Sequence, residues 1–228
     1  MFPLRDSEHS NTFPLITLLI IALNVVVFWF EITSENLEAF ITSYALIPSH
    51  VQVSDPSTFI PFLTSMFLHG GFVHILSNMW FLWVFGDNAE ATLGHVRFFL
   101  FYLASGIAAS LVQFLLQGMM GTSFDVPMLG ASGAIAGVLG AYLVLFPHAR
   151  IETLIPFFGF ATVTTIAAPV MLVYWFITQL FSSVASVVSP DMMGGVAFGA
   201  HVGGFVFGWL IASVFYGPQR KDTRYDFS

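Results

Sequence analysis

Apolar stretches long enough to cross a bilayer recur along this chain, separated by short polar breaks. They cover about residues 14–30, 72–85, 98–116, 132–146 and 194–216, and residues 153–190 add a stretch without a single charge. Only 8% of the 228 residues are charged and 57% are hydrophobic, against roughly a quarter charged in an average soluble domain. Too few polar side chains remain to cover a water-facing surface, so lipid must cover it. With no cysteine, disulfides, thiolate chemistry and Cys-ligated metals are excluded. A net charge of −7 and the lack of a basic run argue against nucleic acid as a partner.

Positive charge decides how many times the chain crosses. Loop Lys and Arg favour the cytoplasmic side, and the six basic residues are Arg5, Arg97, Arg150, Arg220, Lys221 and Arg224. One crossing within residues 153–190, beginning near Pro169, puts all six on one side, whereas two crossings separate the basic tail from Arg150. The opposite loops then hold Glu31, Glu35, Glu38, Asp55, Asp125 and Asp191 and no basic residue. The first apolar run follows Arg5 but is too long for a signal core and lacks a small-residue cleavage site, so it reads as a retained span. The expected fold class is therefore an all-α polytopic membrane protein with six transmembrane helices and cytoplasmic N- and C-termini. Residues 1–13 form a cytoplasmic segment, 14–216 the membrane domain with its first loop 31–61 outside, and 217–228 a cytoplasmic tail. Residues 153–166 are expected to lie at the cytoplasmic interface.

In this topology the second, fourth and sixth spans all run inward, so their N-terminal parts share one depth near the outer leaflet. The second carries His69, His74 and Asn78 there, the fourth opens with Gly130-Ala131-Ser132-Gly133, and the sixth holds His201. An imidazole inside hydrocarbon is costly and marks function by default. His201, Gly204 and Gly208 share one helix face, and a glycine face lets a neighbouring backbone come close enough for a serine-to-imidazole hydrogen bond. His74 and Asn78 stand four residues apart on one face and are suitable donors to an oxyanion, joined by the Ser132 N–H at a helix start. Ser132 alone also fits a small-residue packing surface, and Asn78 also fits a structural interhelical hydrogen bond. His69 is expected at the solvated outer edge, and His9, His50, His95 and His148 in termini or loops. Glu90 and Arg97 are expected to cap helices or pair at the interface.

The ordered set His-x-x-x-Asn, Gly-Ala-Ser-Gly and Ala-His-Val-Gly-Gly resembles the rhomboid intramembrane serine proteases, over nearly the whole chain from about residue 13 to 216. The resemblance implies a compact six-helix bundle, with Ser132 and His201 as a catalytic dyad lacking a third acid. It implies an oxyanion site from the Ser132 N–H, His74 and Asn78, with Gly130 shaping the approach. It further implies substrates that are transmembrane helices of other membrane proteins, cut near their outer ends and often after a small residue. No cofactor and no metal are expected, and a bacterial inner (cell) membrane is the expected home. Two departures stand out: Ala136 occupies the position where some members stack a tyrosine on the histidine, and residues 31–61 lack the Trp-Arg pair some carry. Two alternatives stay open, a non-proteolytic membrane protein holding partner helices in the polar layer, and a metal-dependent hydrolase using His69, His74 and His201.

Overall fold

The computed structural model describes residues 1–8, 10–120, 125–157, 160–188 and 197–218. His9, Asp191, Arg220, Lys221, Arg224 and most of the expected tail lie outside the described residues. The chain opens with strand β1 (Phe2–Asp6) and helix α1 (Leu15–Thr33). Two short helices, α2 (Leu37–Tyr44) and α3 (Pro61–Thr64), follow in the first loop. The long helices α4 (Phe72–Leu93), α5 (His95–Met120) and α6 (Ser132–Leu145) come next. The hairpin β2 (Arg150–Phe157) and β3 (Phe160–Ala167) separates α6 from α7 (Ala168–Val188) and α8 (Phe198–Phe215).

Long helices thus stand where the six apolar stretches predict them. Among the described residues, α1, α5 and α8 are each long and apolar enough to cross a membrane. The segment before α4 is apolar too and meets it at a bend of 81°. Helix α6 has only 14 residues, about 21 Å at 1.5 Å per residue. Polar side chains such as Asn24, Glu31, Asn78, Glu90 and Ser105 are buried, while Leu19, Val26, Trp29, Leu100, Leu111 and Val214 face outward. A water-soluble protein shows the reverse, so this surface is built for lipid, and the chain is an integral membrane protein.

Contacts fix the helix directions. Ser132 meets His201 and Gly137 faces Gly208, so α6 and α8 run parallel. His74 beside Gly130 and Phe85 against Tyr142 make α4 parallel to both. Ala109 against Gly133 and Ser105 against Gly137 make α5 antiparallel to α6. Helix α6 sits at the centre, buried along most of its length.

The all-α expectation needs correction, because β1, β2 and β3 form an antiparallel sheet in that order. Residue pairs run from Arg150 with Ala167 to Phe157 with Phe160, and Arg5 binds Glu152 through two 2.8 Å contacts. The cause is legible afterwards: Thr162, Val163, Thr164, Thr165 and Ile166 are all β-branched, which favours a pleated strand over a helix. Tyr142, near the end of α6, donates to Asp6 of β1, so the sheet lies at the end of the bundle away from Ser132.

Glu90 does cap a helix, though not its own. Its buried carboxylate accepts from Ile16 N (2.8 Å) and from Thr17 N and Oγ1 (both 2.7 Å), satisfying the free donors that open α1. His95, rather than Arg97, is its third partner.

Candidate active site

Ser132 is the first residue of α6, and the backbone before it is held from two sides. Gly130 N donates to Ser65 O at 2.9 Å, and Met128 exchanges two backbone hydrogen bonds with Leu46 of the first loop. Gly130 has φ +124°, a region that disfavours side chains. A Cβ there would stand 2.8 Å from His74 Cε1 and 2.9 Å from Nε2. Glycine is therefore required both for the turn into α6 and for the close approach of His74.

Across the helix pair, His201 Nε2 lies 2.8 Å from Ser132 Oγ. The glycine face predicted for α8 makes this possible: a Cβ at Gly204 would strike the carbonyl oxygen of Gly133, and one at Gly208 that of Gly137. Backbone touches backbone along this seam, which brings two short side chains within hydrogen-bond reach.

His74 and Asn78 lie on the facing side of α4. Gly70 N donates to His74 Nδ1 at 3.3 Å. A backbone N–H can only donate, so in the neutral ring the proton sits on Nε2, the edge that faces Gly130. Asn78 is buried, and its Nδ2 has no partner among the described residues. A buried amide donor without an acceptor carries a desolvation cost of about 1–3 kcal/mol, which an incoming oxygen would relieve. Gly130, Ser132, His201 and His74 thus come together at one end of the bundle, and Asn78 lies buried one turn further along α4 from His74.

His69 departs from expectation. It is fully buried rather than solvated, its ring 5.1 Å from that of His74 and edge-on to Phe28. Its backbone N–H donates to the buried carboxylate of Glu31 at 3.0 Å, so a carboxylate sits inside this layer instead of out in the loop. The 81° bend turns the chain inward before α4 and carries His69 with it.

Two residues of α7 were not anticipated. Gln179 Oε1 lies 2.7 Å from His201 Nδ1, and the Trp175 indole lies 5.8 Å from the His201 ring at 35°. Phe198 meets the same ring edge-on. An aromatic therefore does flank His201, supplied by α7 and α8 because Ala136 supplies none. The available signal was Gln179 itself, a polar side chain within a charge-free apolar run, four residues after Trp175. Beside Ser132 lies a cavity of about 30 Å³ lined mostly by small residues, including Gly106, Ala109, Gly133 and Ala200, together with Met66, Met128 and Leu129.

A family model described as the rhomboid domain matches residues 56–218. Rhomboid protein 1, mitochondrial, of Saccharomyces cerevisiae is 42% identical over 92 residues, 40% of this chain and 27% of the yeast protein. The human presenilin-associated rhomboid-like protein, mitochondrial, is 30% identical over 156 residues, 66% of this chain and 37% of its own. Rhomboid protease GluP of Bacillus subtilis is 36% identical over 137 residues, 59% of this chain and 25% of its own. The chain thus spans only about a quarter to a third of the lengths of these relatives. Two of the three are named mitochondrial and one is bacterial, so they do not support the bacterial cell membrane over an organelle.

Proposed function

The chain belongs to the rhomboid family, and we propose that it is an intramembrane serine endopeptidase in which Ser132 is the nucleophile and His201 its base. The observation that carries this reading is the 2.8 Å contact between Ser132 Oγ and His201 Nε2. In the first step Oγ attacks the substrate's peptide carbonyl carbon while its proton passes to Nε2. The oxyanion accepts from His74 Nε2–H, Asn78 Nδ2 and the Ser132 N–H. Collapse breaks the C–N bond, and the leaving amine takes the proton from His201. Water, deprotonated by the same ring, then releases the acyl group from Ser132.

Two features support a substrate that is itself a transmembrane helix. Helix α6 is about 9 Å shorter than the roughly 30 Å hydrocarbon core. If the sheet at its far end lies at one interface, Ser132 lies below the opposite one. The small cavity beside Ser132 suits a small side chain just before the cut bond. A substrate helix must unwind locally, since an intact helix hides its carbonyls from attack. Six crossings with cytoplasmic termini agree with Arg5, Arg97 and Arg150 sharing the end of the bundle opposite the dyad. On this topology residues 1–13 and 217–228 flank a membrane domain of 14–216, and loop 31–61 faces outward.

The test uses the full chain in proteoliposomes with a model single-span substrate, beside Ser132→Ala. Wild type is expected to cut the substrate after a small residue and to react with a fluorophosphonate, while Ser132→Ala does neither. Cleavage by Ser132→Ala at the wild-type rate removes the assignment. Asn78→Ala and His74→Ala should each lower kcat by about 10²–10³-fold, the usual cost of one oxyanion donor. Unchanged kcat in both would return these residues to a structural role.

A further inference from the structure

The hydrogen bonds behind His201 form a directed chain that reaches beyond the dyad. Thr178 Oγ1 donates to the Trp175 carbonyl at 2.6 Å. Gln179 Nε2 donates to Thr178 Oγ1 at 3.3 Å. Gln179 Oε1 faces His201 Nδ1 at 2.7 Å, and His201 Nε2 faces Ser132 Oγ at 2.8 Å.

The direction of this chain follows from its first member. A backbone carbonyl can only accept, so the single hydroxyl proton of Thr178 is committed to Trp175. The Thr178 oxygen is then left as an acceptor, and of the two ends of the Gln179 amide only the NH2 can serve it. That turns Oε1 toward the histidine. Oε1 has no proton, so Nδ1 must carry one, and a neutral imidazole protonated on Nδ1 has its lone pair on Nε2, facing Ser132. A flipped amide reverses every link: its NH2 would meet Nδ1, the ring proton would move to Nε2, and the ring could no longer receive the serine's proton.

We infer that Gln179, oriented by Thr178, is a positioning residue that holds His201 in the one neutral tautomer able to act as a base. In a dyad without a third acid, the amide supplies the orienting bond that a carboxylate supplies elsewhere, without placing a second charge in hydrocarbon. The base is thereby tied to α7, a different helix from the two that carry the dyad. The inference rests on the dyad reading above.

The imidazole ¹⁵N spectrum of the full chain tests it independently of proteolysis, with the His201 signals assigned by their loss in His201→Gln. Above the ring's titration, wild-type His201 should show a protonated Nδ1 and a bare Nε2. In Gln179→Leu the two tautomers should mix, and kcat should fall about 10–100-fold with KM within about twofold. Thr178→Val, which keeps the shape and removes the hydroxyl, should also mix the tautomers, and Thr178→Ser should recover the wild-type spectrum. A wild-type ring protonated on Nε2 overturns the inference, even if Gln179→Leu proves unable to fold. So does a Gln179→Leu or Thr178→Val spectrum identical to wild type. If instead Ser132→Ala retains turnover, the dyad reading fails while the spectrum still judges the tautomer.

Discussion

Alanine at His201 is expected to lower the cleavage rate by about 10⁴-fold or more, as deep a loss as alanine at Ser132, and the double variant should lose no more than either single one. The reason lies in the 2.8 Å contact. A serine hydroxyl without an acceptor keeps its proton and is a poor nucleophile, and an imidazole without the serine has nothing to activate. Each residue acts only through the other, so their losses cannot add. Initial rates on the single-span substrate measure this, with thermal unfolding run alongside to establish that each variant is folded. Losses that multiply in the double variant would mean that the two side chains act in separate steps.

Valine at Gly208, well away from the dyad, should damage both the fold and the site. A Cβ at this position runs into the carbonyl oxygen of Gly137, and a helix backbone has no rotamer to give way. Overpacking of a flexible core costs about 1–3 kcal/mol, occasionally more, and contact with rigid backbone belongs at or above the upper end. Restoring ordinary contact requires α6 and α8 to separate by more than about 1 Å, and a misplacement of that size costs about 10²-fold in rate. Gly208→Val is therefore expected to lower both the unfolding temperature and fluorophosphonate labelling. Val214→Ala, on the exposed lipid side of the same helix, should change stability by no more than about 0.5 kcal/mol. If Gly208→Val unfolds and labels like wild type, the seam does not hold the dyad together.

The glycine seam also marks how far the sequence reaches. Apolar length, joined by the one-sided placement of Lys and Arg for residues 153–190, located the long helices, since only a helix satisfies its own backbone within lipid. Spacing of three and four residues put Gly204 and Gly208 on the face of His201, and His74 with Asn78, because such pairs share a face in any helix. These are local properties, and they survived folding unchanged. Glu90 is legible in the sequence only as a residue that caps a helix or pairs at the interface, and which helix it caps is not, because its partners Ile16 and Thr17 lie more than seventy residues away.

What remained hidden depends on how helices are rotated and where chain bends lead. Helix α6 is apolar all round, so its pattern does not say which neighbour each side meets. Gln179 is one polar residue in such a run, and only the packing of α7 against α8 brings its amide to His201. His69 reads as a solvated edge residue until the 81° bend carries it inside, and Glu31 reads as a loop residue although α1 runs on past it to Thr33 and holds it against the His69 backbone. The sheet had a local signal in residues 162–166, but a strand acquires its stability from partners, here β2 and the distant β1. Backbone hydrogen bonding and side-chain spacing thus set the long helices and the candidate dyad from the sequence by itself. Tertiary packing alone decided which amide, which indole and which carboxylate surround them, because those contacts join segments whose separation along the chain carries no record of their meeting.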